Sequence, residues 1–305
     1  MFEHDALLYD GPDGFVEHVL PFVRGAFEND EPVLAVTGHR NAAALRDELG
    51  GDAALVDYRD SVDWYASPGK AFNGYADYVA RHGGECRLRV IGEPVWPLDW
   101  REGVDEWARY ESALNVAFAD APAWIVCPYD TTTLPGAILE HARHTHPTLH
   151  AHGERVAHDE YVETQAFWST LDSASPFAPP PRARRQPITA DLAGLRAAVA
   201  VEAGRVGVPR QRLHDLLLAV HELAINALTH GGGEASLAMW TEGDRFVCEV
   251  ADAGPGVERP LVGYQIPAAD APRGRGFWLA RRLCDLVEVR SQPGGTRVRV
   301  HLRRA

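Results

Sequence analysis

Residues 219–233, "AVHELAINALTHGGG", set three polar side chains into an apolar helical pattern. Glu222, Asn226 and His230 recur at i, i+4 and i+8, so they share one stripe of a helix surface. Leu216, Leu217, Val220, Leu223, Ala224, Ala227 and Leu228 supply the face that packs such a helix on a core. Burying a polar group without a partner costs roughly 1–3 kcal/mol. A single polar position would read as a side chain turned to water. Three in line between apolar flanks read as a stripe that meets a ligand.

The residues downstream extend that reading. "EASLAMWT" and "RFVCEVAD" form a strand pair joined by the turn "EGD", and "DAGPG" (residues 252–256) stands at the end of the second strand. Asp252 offers a carboxylate acceptor, and Gly254 and Gly256 let backbone approach a ligand closely. A long loop rich in glycine and proline leads to "RGRGFWLARRL", where Gly274 and Gly276 precede a helix and expose its first N–H groups, an anion site. "GGT" (residues 294–296) adds a turn and the Thr296 hydroxyl before the last strand. With a helix at about 189–206 and another at about 209–230, this part is α+β, with helices on one face of an antiparallel-leaning sheet.

The chain divides at "SASPFAPPPRARRQPI", residues 173–188, a proline-rich extended connector. The expected domains are 1–172 and 189–305, each of ordinary domain size. The first alternates short β-branched runs ("DALLYD", "PVLAVTG", "AALVDY", "RLRVIGE", "AWIVCPYD") with amphipathic helices. That order predicts an α/β fold with a mostly parallel sheet covered on both faces. Ligands of such sheets bind beyond the carboxyl ends of the strands. Those ends carry Thr37 and His39, Asp57 and Tyr58, Glu93, and Tyr129 with Asp130. No G-x-x-x-x-G-K-[ST] loop occurs.

Composition bounds the function. The net charge of -13 over 305 residues argues against nucleic acid as the main partner, although "RARRQP" and "HLRRA" are locally basic. No apolar run has the length of a membrane span, and the acidic start "MFEHDALLYD" is unlike a signal peptide, so a soluble cytoplasmic protein without membrane partners is expected. Cys86, Cys127, Cys248 and Cys284 are widely spaced and read as reduced, mostly buried thiols.

The ordered set "HELAINALTHG", "DAGPG", "GRGFWLARRLCD" and "GGTRVRV" resembles the GHKL, or Bergerat, ATP-binding fold of gyrases and histidine kinases. It is most similar to the branch formed by anti-sigma-factor serine kinases. The resemblance implies ATP or ADP with Mg²⁺ as cofactors. By position, Asn226 would ligate Mg²⁺, Glu222 would be the catalytic base, and Asp252 would accept from the adenine amino group with Thr296 behind it. Gly254 and Gly256 would admit the nucleotide, and Gly274 and Gly276 would present N–H groups to its phosphates. His230 would have a structural role at the helix end as readily as a functional one. The implied partners are a STAS-domain anti-anti-sigma factor, phosphorylated on Ser or Thr, and a sigma factor, with the chain itself a homodimer. A nucleotide-gated adaptor without kinase activity is the alternative. A sensor histidine kinase is a third reading, against which residues 189–206 contain no histidine.

The first domain resembles the MEDS sensory domain, through "HDALLYDGPDGFVEHVLPFVRGAFENDEPVLAV", "RVIGEPVW" and "ALNVAFADAPAWIVCPYDTTTLPGAILEHARHTHP". The resemblance implies a RecA-like fold without its phosphate loop, and an unknown small-molecule or protein signal. His4, Glu93, Trp96, Tyr129, Asp130 and His146 are the candidates for a ligand pocket or inter-domain contact. In "EHARHTHPTLHAHG", His141, His144, His146, His150 and His152 read as a solvated or pH-sensitive surface, with metal binding as the sharper alternative. Trp64, Trp96, Trp100, Trp107 and Trp124 read as core or domain-contact residues.

Overall fold

The computed structural model describes residues 2–84, 86–94, 103–151, 154–173, 177–257, 261–264 and 275–304. Trp96, Trp100, His152, Arg273 and Gly274 lie outside the described residues. Two compact units emerge. One comprises Met1–Ala66 and Lys70–Trp168, the other Ser169–Ala305 together with Ser67–Gly69.

The first unit runs β1 (Glu3–Tyr9), α1 (Gly11–Glu28), β2 (Val33–Thr37), α2 (His39–Leu49), β3 (Val56–Asp60), α3 (Ser61–Trp64), α4 (Pro68–His82), β4 (Leu88–Gly92), α5 (Val104–Ala117), β5 (Ala123–Asp130), α6 (Gly136–Thr145), β6 (Thr148–Ala151), β7 (Glu154–Ala157) and α7 (Thr164–Ser173). Its seven strands are ordered β3-β2-β4-β5-β1-β6-β7. All neighbours are parallel except β6 and β7, so the expected α/β fold is present. β2 and β4 are buried at every position, as strands covered on both faces must be. On one face, Phe15, Val19, Phe22 and Val23 of α1 and Leu45 and Leu49 of α2 pack with Leu7, Val33, Ala35, Ile91 and Val126.

The second unit runs β8 (Arg184–Pro187), α8 (Leu192–Arg205), α9 (Arg210–His230), β9 (Ala235–Glu242), β10 (Arg245–Asp252), α10 (Arg275–Leu283), β11 (Leu286–Gln292) and β12 (Gly295–Arg303). Its five strands form an antiparallel sheet ordered β11-β12-β10-β9-β8, the α+β arrangement expected. Alternation assigns the faces of β12: Val298, Val300 and Leu302 join the core under the helices. Arg297 and Arg299 alternate with them, and both pair with Glu249. One difference concerns the proline-rich connector. Its end, Arg184–Pro187, pairs with Ser236–Met239 as an edge strand, where a proline's missing N–H costs no ladder bond.

Candidate functional site

Helix α9 starts after Pro209, whose fixed φ suits a helix entry, and runs to His230. Leu216, Ala219, Val220, Leu223, Ala224 and Ala227 bury its inner face. Glu222 and Asn226 follow on the adjoining stripe and are half-buried, while His230 is exposed in the last turn. Among the described residues neither the Glu222 carboxylate nor the Asn226 carboxamide has a hydrogen-bond or ion-pair partner.

Three separate pieces of chain converge beside that stripe. Gly276, in the first turn of α10, lies so close that a Cβ there would fall 2.6 Å from Asn226 Nδ2 and 3.3 Å from the Glu222 Cβ. A side chain would fill the space beside the carboxamide, so glycine keeps the start of α10 open to it. At the end of β10, Asp252 Oδ1 accepts the N–H of Gly254 at 2.9 Å and of Thr296 at 3.3 Å. Thr296 is the cross-strand partner of Asp252, which brings the hydroxyl of "GGT" to this corner by sheet register alone. Among the described residues Asp252 Oδ2 is left without a partner, so the carboxylate is oriented but half-satisfied. Gly254 passes beneath the end of α9, where a Cβ would sit 2.5 Å from the His230 carbonyl oxygen, and Gly256 has φ +88° against the Gln292 carbonyl. Ser291 was not anticipated. Its hydroxyl accepts the Val257 N–H at 2.6 Å and lies 3.3 Å from the Thr296 hydroxyl, joining the glycine turn to the last hairpin. Its sole sequence signal is its place just before "QPGGT".

An open cavity of about 680 Å³ lies on another side of this corner, lined by Gln186, Ile188, Gly233, Ser236, Ala251 and Asp252 among others. Of the expected residues it touches Asp252 alone, so it is not the groove beside Asn226.

The five described candidates of the first unit fall in different places. Glu93 follows β4 and is held by Tyr9 at 2.7 Å, Asn41 at 2.6 Å, the Gly38 N–H at 3.1 Å and the Thr37 hydroxyl. Asp130 caps the turn after β5; partial burial opposes its ionisation, yet bonds from Thr132 and Gly11 hold its carboxyl below the usual range. His4, Tyr129 and His146 do come together, with ring centroids 4.1 Å apart for His4–His146 and 5.7 Å for Tyr129–His146.

The surface reading of the histidine run is corrected here. His146 has no exposed area, and His141, His144 and His150 are half-buried. Helix α6 lays its inner face on the unit and ends at Thr145, so His146 turns inward before β6 begins. It meets His4 of β1, Glu111 of α5 and Cys127 of β5. Burial lowers His4 to about 4 and His146 to about 3, so both imidazoles are neutral; it raises Glu111 to about 7 and pushes the Cys127 thiol well up. Glu111 and Cys127 carry no sequence signal for this role, because only the fold brings them to His4 and His146.

No helix among the described residues is long and apolar enough to cross a membrane. Comparison with known proteins gives two family matches. The model of the MEthanogen/methylotroph, DcmR Sensory domain (MEDS) matches residues 3–147, and that of the histidine kinase-like ATPase domain matches residues 187–302. No curated protein matches. Among solved structures, the RsbU and RsbW domains of a Mycobacterium tuberculosis protein are 20% identical, with 42% of this chain and 33% of that chain covered and a TM-score of 0.31. A histidine kinase domain from an Erythrobacter litoralis blue-light activated histidine kinase is 13% identical, with 77% and 93% covered and a TM-score of 0.25. The chain thus spans about a third of the length of the first of these. The two family matches account for most of the chain, which carries an N-terminal MEDS sensory domain and a C-terminal histidine kinase-like ATPase domain.

Proposed function

We propose that this chain is a cytoplasmic regulatory factor of the anti-sigma type, in which the MEDS domain receives a signal and the ATPase domain binds Mg²⁺–ATP or ADP. The observation that carries the reading is the grouping of Glu222, Asn226 and the free oxygen of Asp252 around Gly276 and the glycine turn, all without partners among the described residues. Half-buried polar groups without protein partners keep their water, and a ligand can displace that water and meet them.

The residues fit the group that the family implies. Asn226 has a free carboxamide oxygen suited to Mg²⁺, a hard cation that takes oxygen ligands. Asp252 Oδ2 is oriented to accept an exocyclic amine, with Thr296 beside it. Gly276 leaves room where a Cβ would crowd Asn226, and its backbone stands at a helix N-terminus, as a phosphate site requires. Gly254 and Gly256 let the turn lie close to the nucleotide; Gly274, outside the described residues, belongs to the same proposal. Bound Mg²⁺–ATP supplies a transferable phosphoryl group. Glu222 would take the proton of an attacking hydroxyl, which we assign to a Ser or Thr of a STAS-domain partner. A sigma factor is the second partner, and a homodimer is the proposed assembly.

The test is calorimetry of the full chain with Mg²⁺–ATP and Mg²⁺–ADP, followed by incubation with labelled ATP and candidate STAS proteins. Heat of binding that is lost in Asp252→Asn, with label on a partner's Ser or Thr, supports the proposal. Binding without label leaves a nucleotide-gated adaptor. Acid-labile label on the chain itself makes it a histidine kinase, and no heat at all ends the reading.

A further inference from the structure

We propose that His4, Glu111, Cys127 and His146 form a four-coordinate Zn²⁺ site inside the MEDS domain. The four come from four elements, β1, α5, β5 and the end of α6, and all are buried. In the parallel pairing of β1 with β5, His4 lies opposite Ile125 and Ala6 opposite Cys127. The period-two alternation therefore sets His4 and Cys127 on one face of the sheet, under Glu111. His4 Nε2 is 3.5 Å from Cys127 Sγ and 3.5 Å from Glu111 Oε2. Cys127 Sγ and His146 Nε2 are each 3.8 Å from the same oxygen. All four ligand atoms lie within 4.8 Å of one another.

Those spacings are close to those of a tetrahedron around zinc. With Zn–N near 2.05 Å, Zn–O near 2.0 Å and Zn–S near 2.3 Å, its edges are about 3.3–3.6 Å. The four measured edges need a contraction of at most about 0.5 Å to reach them. Thiolate and imidazole together select zinc over magnesium or calcium.

The surrounding groups orient the ligands toward the centre. Asn115 Nδ2 donates to the Thr145 carbonyl at 2.7 Å, which turns its Oδ1 toward His4. His4 Nδ1–H donates to that oxygen at 3.0 Å, and His146 Nδ1–H donates to the Ala142 carbonyl at 2.8 Å. Both rings are thereby held with Nε2 as the lone-pair nitrogen, the arrangement that zinc-binding histidines use. His146 Nε2 is fully buried and has no hydrogen-bond partner among the described residues. A buried acceptor in that state is expensive, and a metal ion relieves it. Charge also balances: binding releases the thiol proton, and one thiolate with one carboxylate neutralises Zn²⁺ in a site without water access. The other described histidines of the run do not take part. His150 bonds Asp5, which points to the opposite face, and His141 and His144 lie against Phe167.

The experiment uses the full chain purified without chelator or affinity-tag histidines. Elemental analysis should find about one zinc per chain. After the metal is stripped, Co²⁺ should give a thiolate-to-metal charge-transfer band with the intense visible bands of a four-coordinate ion, and Zn²⁺ should quench them stoichiometrically. Zn²⁺ should also raise the thermal midpoint by about 5–10 °C. Cys127→Ser should lose the charge-transfer band, and His146→Gln should lower zinc affinity at least about 100-fold. His144→Gln should change neither. Circular dichroism confirms that each variant is folded; if Cys127→Ser does not fold, Cys127→Ala takes its place. A folded wild type that gives no four-coordinate cobalt spectrum overturns the site, as does a spectrum unchanged in Cys127→Ser or lost in His144→Gln.

Discussion

The two sheets treat polar side chains in opposite ways. In the parallel sheet of the first unit, charged groups go fully inside and are met by several partners. Asp5, with no exposed area, accepts from Trp124 Nε1 at 2.7 Å, His150 at 3.0 Å, and Arg155 Nε and Nη2 at 2.7 and 2.9 Å. Beside the antiparallel sheet of the second unit, Glu222, Asn226 and one oxygen of Asp252 stay half-buried and unmatched among the described residues. The difference follows from solvent. Strands covered on both faces have no water, so a polar group there must find protein partners or an ion. A groove at the end of a one-sided sheet keeps its water until a ligand displaces it, so open valences are tolerated there. Satisfied burial marks structure; unsatisfied half-burial marks binding.

The sharpest way to break this contrast is to cut one partner from each kind of site. Asp5→Ala should destabilise the protein by about 1–3 kcal/mol, because it leaves the Trp124 N–H without its acceptor and Arg155 with Glu3 alone. Urea unfolding followed by near-ultraviolet signals reads this directly, and a loss under about 1 kcal/mol would contradict the structural role. Asn226→Ala should do the reverse. Stability should stay within about 0.5 kcal/mol. Affinity for Mg²⁺–ATP should fall about 10–100-fold by calorimetry, the usual worth of a bond to a charged group. A stability loss as large as that of Asp5→Ala would mean that the stripe is simply core.

Legibility in the sequence follows the same division. Helix α9 was expected at about 209–230 and forms at Arg210–His230, because its stripe and flanking proline are local signals. The association of Asp252 with Thr296 comes from the resemblance alone, and the β10–β12 register sets the two opposite one another. The β6–β7 pair carries little sequence signal: "TLHA" and "ERVA" are short, and His150 and Arg155 mask their alternation. β8 is hidden by Pro187 and the prolines of the connector before it. The His4, Glu111, Cys127, His146 cluster was illegible for a deeper reason. Its members are joined only by the crossover order of the sheet, and a lone cysteine or glutamate carries no spacing to read. Ser291 likewise acquires meaning only from the hairpin that brings it to Thr296.

Gly276→Ala sharpens the contrast at lower cost. The new Cβ would fall 2.6 Å from Asn226 Nδ2, the far end of a side chain that can rotate away. Stability should drop by no more than about 1 kcal/mol. Nucleotide affinity should fall several-fold, since the carboxamide is displaced from its position; an unaltered affinity would remove Asn226 from the site.

The smallest effect concerns the outward side of the second sheet, where the contrast is least clean. Glu288 accepts from His301 at 2.7 Å and stands across the β11–β12 ladder from Arg299. Burial alone would raise its carboxyl, but the His301 bond and the Arg299 and Arg290 charges outweigh it and hold the group below the ordinary range. A carboxyl lowered by folding contributes stability that is complete above its unfolded value and is lost as pH falls through the folded one. The acid limb of the stability curve should therefore be shallower in Glu288→Gln than in the wild type, with the two curves converging at low pH. Urea midpoints from pH 7 down to pH 3 read the difference. Parallel curves would show that His301 and the arginines give Glu288 no more in the folded state than water gives it in the unfolded one, and the ion pairs of this face would then be incidental to the sheet they cover.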